Sequence, residues 1–166
     1  MKGYKIIQRH PHDLYFRLAT EQLVNNAEKE IHVVTGEFSI LYFSAVREAF
    51  RKAVNRGVDV KAYLGKCDED TINRSLVIGI DVYRGDKLPP DRDHYMVVDR
   101  KHILVSKKHV PYDVGSRHGP LYENKLPIAA KKIKTFEKLI KEDCEHPTEP
   151  KTLEQRTKLL LAELHN

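Results

Sequence analysis

Two rhythms of apolar spacing alternate along the chain. After a short strand-like run at residues 4–9, Pro11 opens a stretch in which Leu14, Leu18, Leu23 and Ala27 predict a helix. Ile31-His32-Val33-Val34-Thr35-Gly36 is then a nearly continuous β-branched run, as expected of a central strand covered on both faces, and it implies parallel pairing. From Ser39 to Arg56 the residues Tyr42, Ala45, Val46, Ala49, Phe50, Ala53 and Val54 fall on one helical stripe, with Gly57 placed to end it. Val58, Val60, Ala62 and Leu64 alternate with Asp59, Lys61 and Tyr63, which completes a strand, helix, strand unit of a length that suits a right-handed crossover.

A second unit repeats the logic. Asp68 or Asp70 can cap a short helix through Ile72, Leu76 and Val77, Gly79 ends it, and Ile80-Asp81-Val82-Tyr83 returns as a strand. Beyond the breaker-rich Gly85 to Arg92, residues Asp93 to Val98 and His102 to Val105 form a hairpin around Asp99-Arg100-Lys101. A loop from Lys107 to Lys125 follows, long enough to suggest function. Pro127 then starts a helix with Leu126, Ala130, Ile133, Phe136, Leu139 and Ile140 inward. Glu145 to Pro150 reads as a linker, and Lys151 to Leu164 as a short helix that offers Leu153, Leu159, Leu160 and Leu164 to a partner surface. The expected architecture is an α/β/α sandwich on a mixed, mainly parallel sheet, with one domain over 1–144 and a linker plus helix over 145–166.

Composition narrows the class. With 166 residues the chain can bury one core, and 40% hydrophobic with 32% charged residues fits a globular protein with no span long enough for a bilayer. The N-terminal Met1 to Ile7 lacks the apolar segment of a secretory signal, so a cytoplasmic location is expected, with Cys67 and Cys144 as free thiols. A net charge of +5 suits a phosphate-bearing partner or, equally, a solvated lysine-rich surface.

The usual chemical signatures are missing. The nine histidines, among them His10, His12, His94, His102, His109 and His118, lack the ligand spacing of a closed zinc site, and no glycine-rich phosphate loop or Gly-x-Ser-x-Gly elbow occurs. Neither a metal nor a cofactor is therefore expected. Aromatic residues are 8% of the chain and lie in positions assigned to helices and core, which leaves a stacking platform for single strands weakly supported.

The succession Ala27-Glu28-Lys29-Glu30-Ile31-His32-Val33-Val34, then Ala49-x-x-x-Ala53 and Arg56-Gly57-Val58-Asp59-Val60, resembles the front half of a phospholipase D-like repeat. Ile80-Asp81-Val82-Tyr83 and His94-Tyr95-Met96-Val97-Val98-Asp99-Arg100-Lys101 extend the likeness to that family's signature strand, over most of residues 13 to 142. The family's signature is His, one residue, Lys, four residues, Asp, usually with a Gly/Ser pair one strand later. Anchored on Asp99, this sequence has Arg92 in place of the nucleophilic His, His94 in place of the phosphate-binding Lys, and Ser106-Lys107 in place of the Gly/Ser pair. Glu123 takes the place of the family's acidic residue before the last helix, and Gly115-Ser116 lies in the preceding loop.

The resemblance implies double displacement at phosphorus in intact members, and loss of the nucleophile removes most of that activity. His94 could attack in its stead with Arg92 holding phosphate, since residues two apart on a strand share a face. Asp99 enters as a catalytic candidate with His94, although an Asp opening a tight turn can equally cap it. Arg92, Ser106, Lys107, Lys108, Ser116, Arg117 and Glu123 are the candidate phosphate or ligand contacts, at the strand ends where α/β sheets bind ligands. The expectation is a catalytically degenerate domain, a homodimer by likeness to half of a two-repeat site, binding a phosphate-bearing or other anionic ligand. Similar domains serve as effector-binding modules of archaeal transcription regulators. The alternatives are an active phosphodiesterase or nuclease, and a nucleic-acid-binding module whose affinity falls with salt.

Overall fold

The computed structural model describes residues 13–65, 67–85, 94–106, 121–122, 126–142, 144–147 and 152–164. The predicted strand at 4–9, the Pro11 helix start and most of the predicted loops, Gly85 to Arg92 and Lys107 to Lys125, lie outside them. Six strands form one sheet in the order β3-β2-β1-β4-β5-β6: β1 (Glu30–Thr35), β2 (Asp59–Leu64), β3 (Asp81–Arg84), β4 (His94–Val98), β5 (His102–Ser106) and β6 (Leu121–Tyr122). Pairing is parallel from β1 through β2 to β3 and antiparallel from β1 through β4 and β5 to β6. The expectation of a mainly parallel sheet therefore holds for one half only. β4 enters beside β1 from the opposite direction, and the hairpin at Asp99-Arg100 then sets β5 antiparallel to β4.

The period-2 strands feed two cores. Ile31 and Val33 of β1, with Met96, Val98 and Leu104, pack under α1 (Asp13–Asn25), α2 (Ser44–Asn55) and α3 (Glu69–Ile78). Val34, Val97, Ile103 and Val105 face α4 (Leu126–Lys141) through Ala129, Ile133, Phe136 and Leu139. Two faces covered by helices make the α/β/α arrangement expected from the apolar runs. Within α4 the inward phase at the first turn belongs to Ala129, whereas Leu126 is 61% exposed and Ala130 is exposed. Leu126 is the first residue of the helix.

The stripe at 39–56 is interrupted. Phe38 adopts a left-handed conformation (φ 50°), Ser39–Tyr42 form one 3-10 turn, and Phe43 is extended before α2 begins. This break buries Leu41 and turns Tyr42 outward, 52% exposed, where the helical stripe had put it inward. Arg47 fastens the break by donating to the carbonyl oxygens of Leu41 and Tyr42, both at 2.7 Å.

Helix ends follow the sequence signals. Asp68 caps α3 by accepting from the Thr71 amide at 2.7 Å, and Gly57 and Gly79 follow α2 and α3 at φ 87° and 96°. A Cβ on Gly79 would stand 2.8 Å from Val54 Cγ1. Gly79→Ala should therefore cost about 1–2 kcal/mol, from the left-handed backbone and the displaced valine. A chemical-denaturation midpoint unchanged from wild type would contradict this.

The chain past Cys144 is not a bare linker. Glu145 pairs with Arg84 through two backbone hydrogen bonds of 2.7 Å, and the His146 ring stacks on Tyr83 at 4.4 Å while its Nε2 meets the Asp81 carboxylate at 2.5 Å. Tyr83 donates its hydroxyl to the same carboxylate at 2.9 Å. The segment thus adds to the exposed edge of β3, an edge that otherwise presents unpaired backbone. Helix α5 (Leu153–Leu164) follows, and Leu161 on it is 51% exposed.

Candidate functional site

The end of the sheet where β1 leaves and β4 enters carries a pocket of about 270 Å³. Its floor is the α1–α3 face of the sheet at Val33, Met96 and Leu104; Phe16 and Thr20 of α1 form one wall, and Phe38, Ser39, Ile40, Tyr42 and Phe43 form the other. Strand alternation explains the floor, because residues 94, 96 and 98 of β4 share one face. That alternation brings His94, the first residue of β4, to the pocket wall beside Thr35.

His94 is held by the end of β1. Its Nδ1 lies 3.1 Å from the Thr35 hydroxyl and accepts from the Gly36 amide at 3.5 Å. A backbone N–H can only donate, so Nδ1 presents its lone pair there and the proton of the neutral ring belongs on Nε2. A Cβ at Gly36 would reach 3.4 Å from the imidazole Cε1, so the glycine gives the ring its room. Ser106 is the register partner of His94 across β4 and β5, which places these two predicted residues side by side.

Asp99 stands elsewhere. It follows β4 at the end opposite His94, five residues along the strand, and its carboxylate accepts from the Glu28 amide at 3.0 Å, the Lys29 amide at 2.8 Å and the Glu30 amide at 3.1 Å. Asp99 and Arg100 both have positive φ, 51° and 57°, the backbone of a type I′ hairpin turn closed by the Lys101 amide on the Val98 carbonyl. The geometry thus separates Asp99 from His94 by the length of a strand, about 16 Å at the usual rise, and gives its carboxylate to the backbone at the start of β1. The carboxylate and the left-handed backbone of Asp99 fit the turn-capping role that the sequence offered beside the catalytic one. Arg92, Lys107, Lys108, Ser116, Arg117 and Glu123 lie outside the described residues.

Sequence reasoning passed over Thr35 and Gly36, which position His94, and over the aromatic wall. The strand-ending Thr-Gly was a usable signal, since a glycine at a strand end often marks close approach of another group. Phe38, Tyr42 and Phe43 were hidden by the helical stripe they interrupt.

The surrounding chemistry is spare. Among the described residues that line the pocket none is Asp, Glu, Lys or Arg. The Arg17 guanidinium lies 5.1 Å from the centre of the Phe43 ring, that of Arg74 lies 5.8 Å from the Tyr42 ring, and Arg17 Nε is buried without a hydrogen-bond partner. Cys67 donates its thiol to the Glu37 carbonyl at 3.4 Å, next in sequence to Phe38 of the wall, but burial pushes that thiol up to about 12, which leaves it protonated and unreactive at neutral pH. Among the described residues no group of three or more His, Cys, Asp or Glu gathers as a metal site requires, and no helix is long and apolar enough to cross a membrane.

No protein-family model and no curated protein matches the sequence. Solved structures do match. Nuc from Salmonella typhimurium, a phospholipase D family member, aligns with a TM-score of 0.62 at 15% identity over 79% of this chain and 90% of its own. NucT from Helicobacter pylori aligns with a TM-score of 0.63 at 11% identity, over 84% of this chain and 96% of its own. TrmBL2, an archaeal chromatin protein described as showing a novel mode of DNA binding, aligns with a TM-score of 0.64 at 16% identity over 89% of this chain, which spans 56% of that longer protein. Strand order, the two helical layers and these superpositions together establish that the chain has the phospholipase D-like fold.

Proposed function

We propose that this domain is a ligand-binding member of its fold that does not hydrolyse phosphodiesters, taking a small molecule with a phosphate or other anionic group into the His94 pocket, in a regulatory role. The observation that carries the reading is the placement of His94 Nδ1 against the Gly36 amide. Attack at phosphorus needs an imidazole lone pair aimed at the substrate and an acceptor behind the ring to stabilise its charge. Here the lone pair is turned to the protein, a donor stands behind the ring, and Nε2 carries a proton that suits it to bind an acceptor. Asp99, the carboxylate expected in the site, is committed to the backbone at the far end of the strand.

The test is hydrolysis of bis-p-nitrophenyl phosphate and of plasmid DNA by wild type beside His94→Ala, with and without chelator. Neither protein is expected to turn over either substrate. Turnover by wild type that His94→Ala abolishes would overturn the reading in favour of a divergent phosphodiesterase.

Nucleic acid is the second reading, favoured by one observation: a DNA-binding chromatin protein shares the fold. It requires affinity for DNA that falls steeply between 50 and 200 mM salt, on the order of a thousandfold if about six phosphates are contacted.

A further inference from the structure

Most of the lysines of α4 lie in one stripe. Lys131, Lys134, Lys138 and Lys141 recur at intervals of three and four residues, which places them within an arc of about 80° on a helix of 3.6 residues per turn. All of them are exposed, on the side away from Ala129, Ile133 and Phe136, which α4 buries against the sheet. The stripe therefore faces solvent on the opposite side of the sheet from the His94 pocket.

Helix stability does not account for it. In α2, α3 and α5 exposed cations stand one turn from a carboxylate: Arg51 and Lys52 from Glu48, Arg74 from Asp70, and Lys158 from Glu154. Along the stripe of α4, among the described residues, the only ion pair is Lys138 with Glu142 at 3.9 Å. Like charges at these spacings destabilise a helix. The helix dipole favours Lys138 and Lys141 in the last turn but does not reach Lys131 and Lys134.

A row of cations held at a cost to the helix, and left largely without counter-charge, matches an extended polyanion. From Lys131 to Lys141 the stripe spans about 15 Å at 1.5 Å per residue, along which one strand of B-DNA sets about four phosphates. Lysine meets phosphate as a point charge and lacks the planar fork that reads a base edge. Thr135, beside the stripe, gives its hydroxyl to the Lys131 carbonyl at 3.2 Å. A bilayer surface takes a helix by its apolar face, but α4 has that face sunk in the core. Leu126 and Ile128, the large apolar residues exposed on it, stand at its first turn, off the stripe. Resting on the nucleic-acid reading, we propose that Lys131, Lys134, Lys138 and Lys141 form the contact with duplex DNA, following the phosphates of one strand without reading sequence.

Fluorescence anisotropy of the full chain with two duplexes of unrelated sequence, each of about 20 base pairs, between 50 and 200 mM salt measures this contact. Affinity should fall on the order of a hundredfold over that range, equally for both sequences. Lys131→Gln, Lys134→Gln and Lys138→Gln together replace exposed residues by another good helix former and should reduce the fall to roughly fourfold. Arg51→Gln, Lys52→Gln and Lys158→Gln together remove the same charge from α2 and α5 and should leave the fall as in wild type. If circular dichroism shows that the α4 set fails to fold, Lys134→Gln alone decides, with the slope of log affinity against log salt lowered by about one. Equal losses from the two sets, or no loss from the α4 set, overturn the stripe and leave the nucleic-acid reading standing. A tenfold preference for one duplex overturns the sequence-independent contact. Binding to vesicles of phosphatidylserine and phosphatidylcholine more tightly than to DNA overturns the proposal in favour of a membrane surface. No binding of wild type to either duplex at low salt removes the nucleic-acid reading and the stripe with it.

Discussion

Asp99→Ala should lower the free energy of unfolding by about 3 kcal/mol, a large share of what a domain of this size commands. Two losses add. The first is the acceptor of three consecutive backbone amides, those of Glu28, Lys29 and Glu30, which enter β1 unpaired on that side. A charge-assisted hydrogen bond contributes roughly 1.5–3 kcal/mol where water is excluded. Two of these amides lie in exposed residues, so water replaces part of the loss and the three together amount to about 2 kcal/mol rather than their sum. The second loss is conformational: at φ 51° alanine costs about 1 kcal/mol, where Asp and Asn tolerate the left-handed region through their side-chain oxygens. Asp99→Asn keeps both an acceptor and the tolerance, and it should cost less than half as much. Urea midpoints at constant m-value measure the pair. Equal losses for Ala and Asn would mean that the negative charge, not the geometry, holds the strand. Ligand binding at His94 should survive Asp99→Asn, since the two residues stand at opposite ends of β4.

How much of this could be read beforehand depended on the range of the interactions. The parallel units and their helices were legible because each rests on local periodicity and a capping residue, as with Asp68 at the start of α3 and Gly57 after α2. The hairpin was legible from Asp-Arg-Lys between two apolar runs. What its Asp does was not, because the amides it binds lie about 70 positions earlier and no local pattern announces them. The aromatic wall was lost for the converse reason. Tyr42 fits a helical stripe by spacing, and the left-handed Phe38 that breaks the helix is set by tertiary packing against Phe50, 5.8 Å away ring to ring. The binding of residues 145–146 to β3 was equally non-local, hidden beneath a Pro-rich composition that reads as linker. His94 was found from the signature strand, but its tautomer, on which the proposed function turns, needed the position of the Gly36 amide.

A buried histidine in β1 makes the protein acid-labile, and His32→Ile should remove much of that lability. His32 is 6% exposed, its ring lies edge-on to Phe136 at 4.9 Å, and its Nδ1 has no hydrogen-bond partner. Burial is the main cause that lowers its pKa from the ordinary 6.5; Glu30 and Asp59 push it upward, while Lys61 and Arg100 push it down again. The sign follows by linkage. Below pH 6.5 the unfolded chain takes up a proton at this position before the folded one does, so the unfolded state is favoured as the solution is acidified. The stability that the neutral ring contributes is therefore complete above about 6.5 and is lost as pH falls through the lower, folded value. Isoleucine fits a strand between the cores and cannot titrate. At pH 8 the variant should be at least as stable as wild type, because removing an orphaned ring nitrogen returns on the order of 1 kcal/mol against the lost contact with Phe136. Between pH 7 and 5 the stability difference should widen in the variant's favour, read as the gap between two urea-midpoint profiles. The eight remaining histidines are common to both proteins and cancel in that gap. Parallel profiles would mean that His32 reaches solvent and holds its ordinary pKa. A gap that widens toward alkaline pH instead would mean that the charged form, paired to Glu30, is the native one.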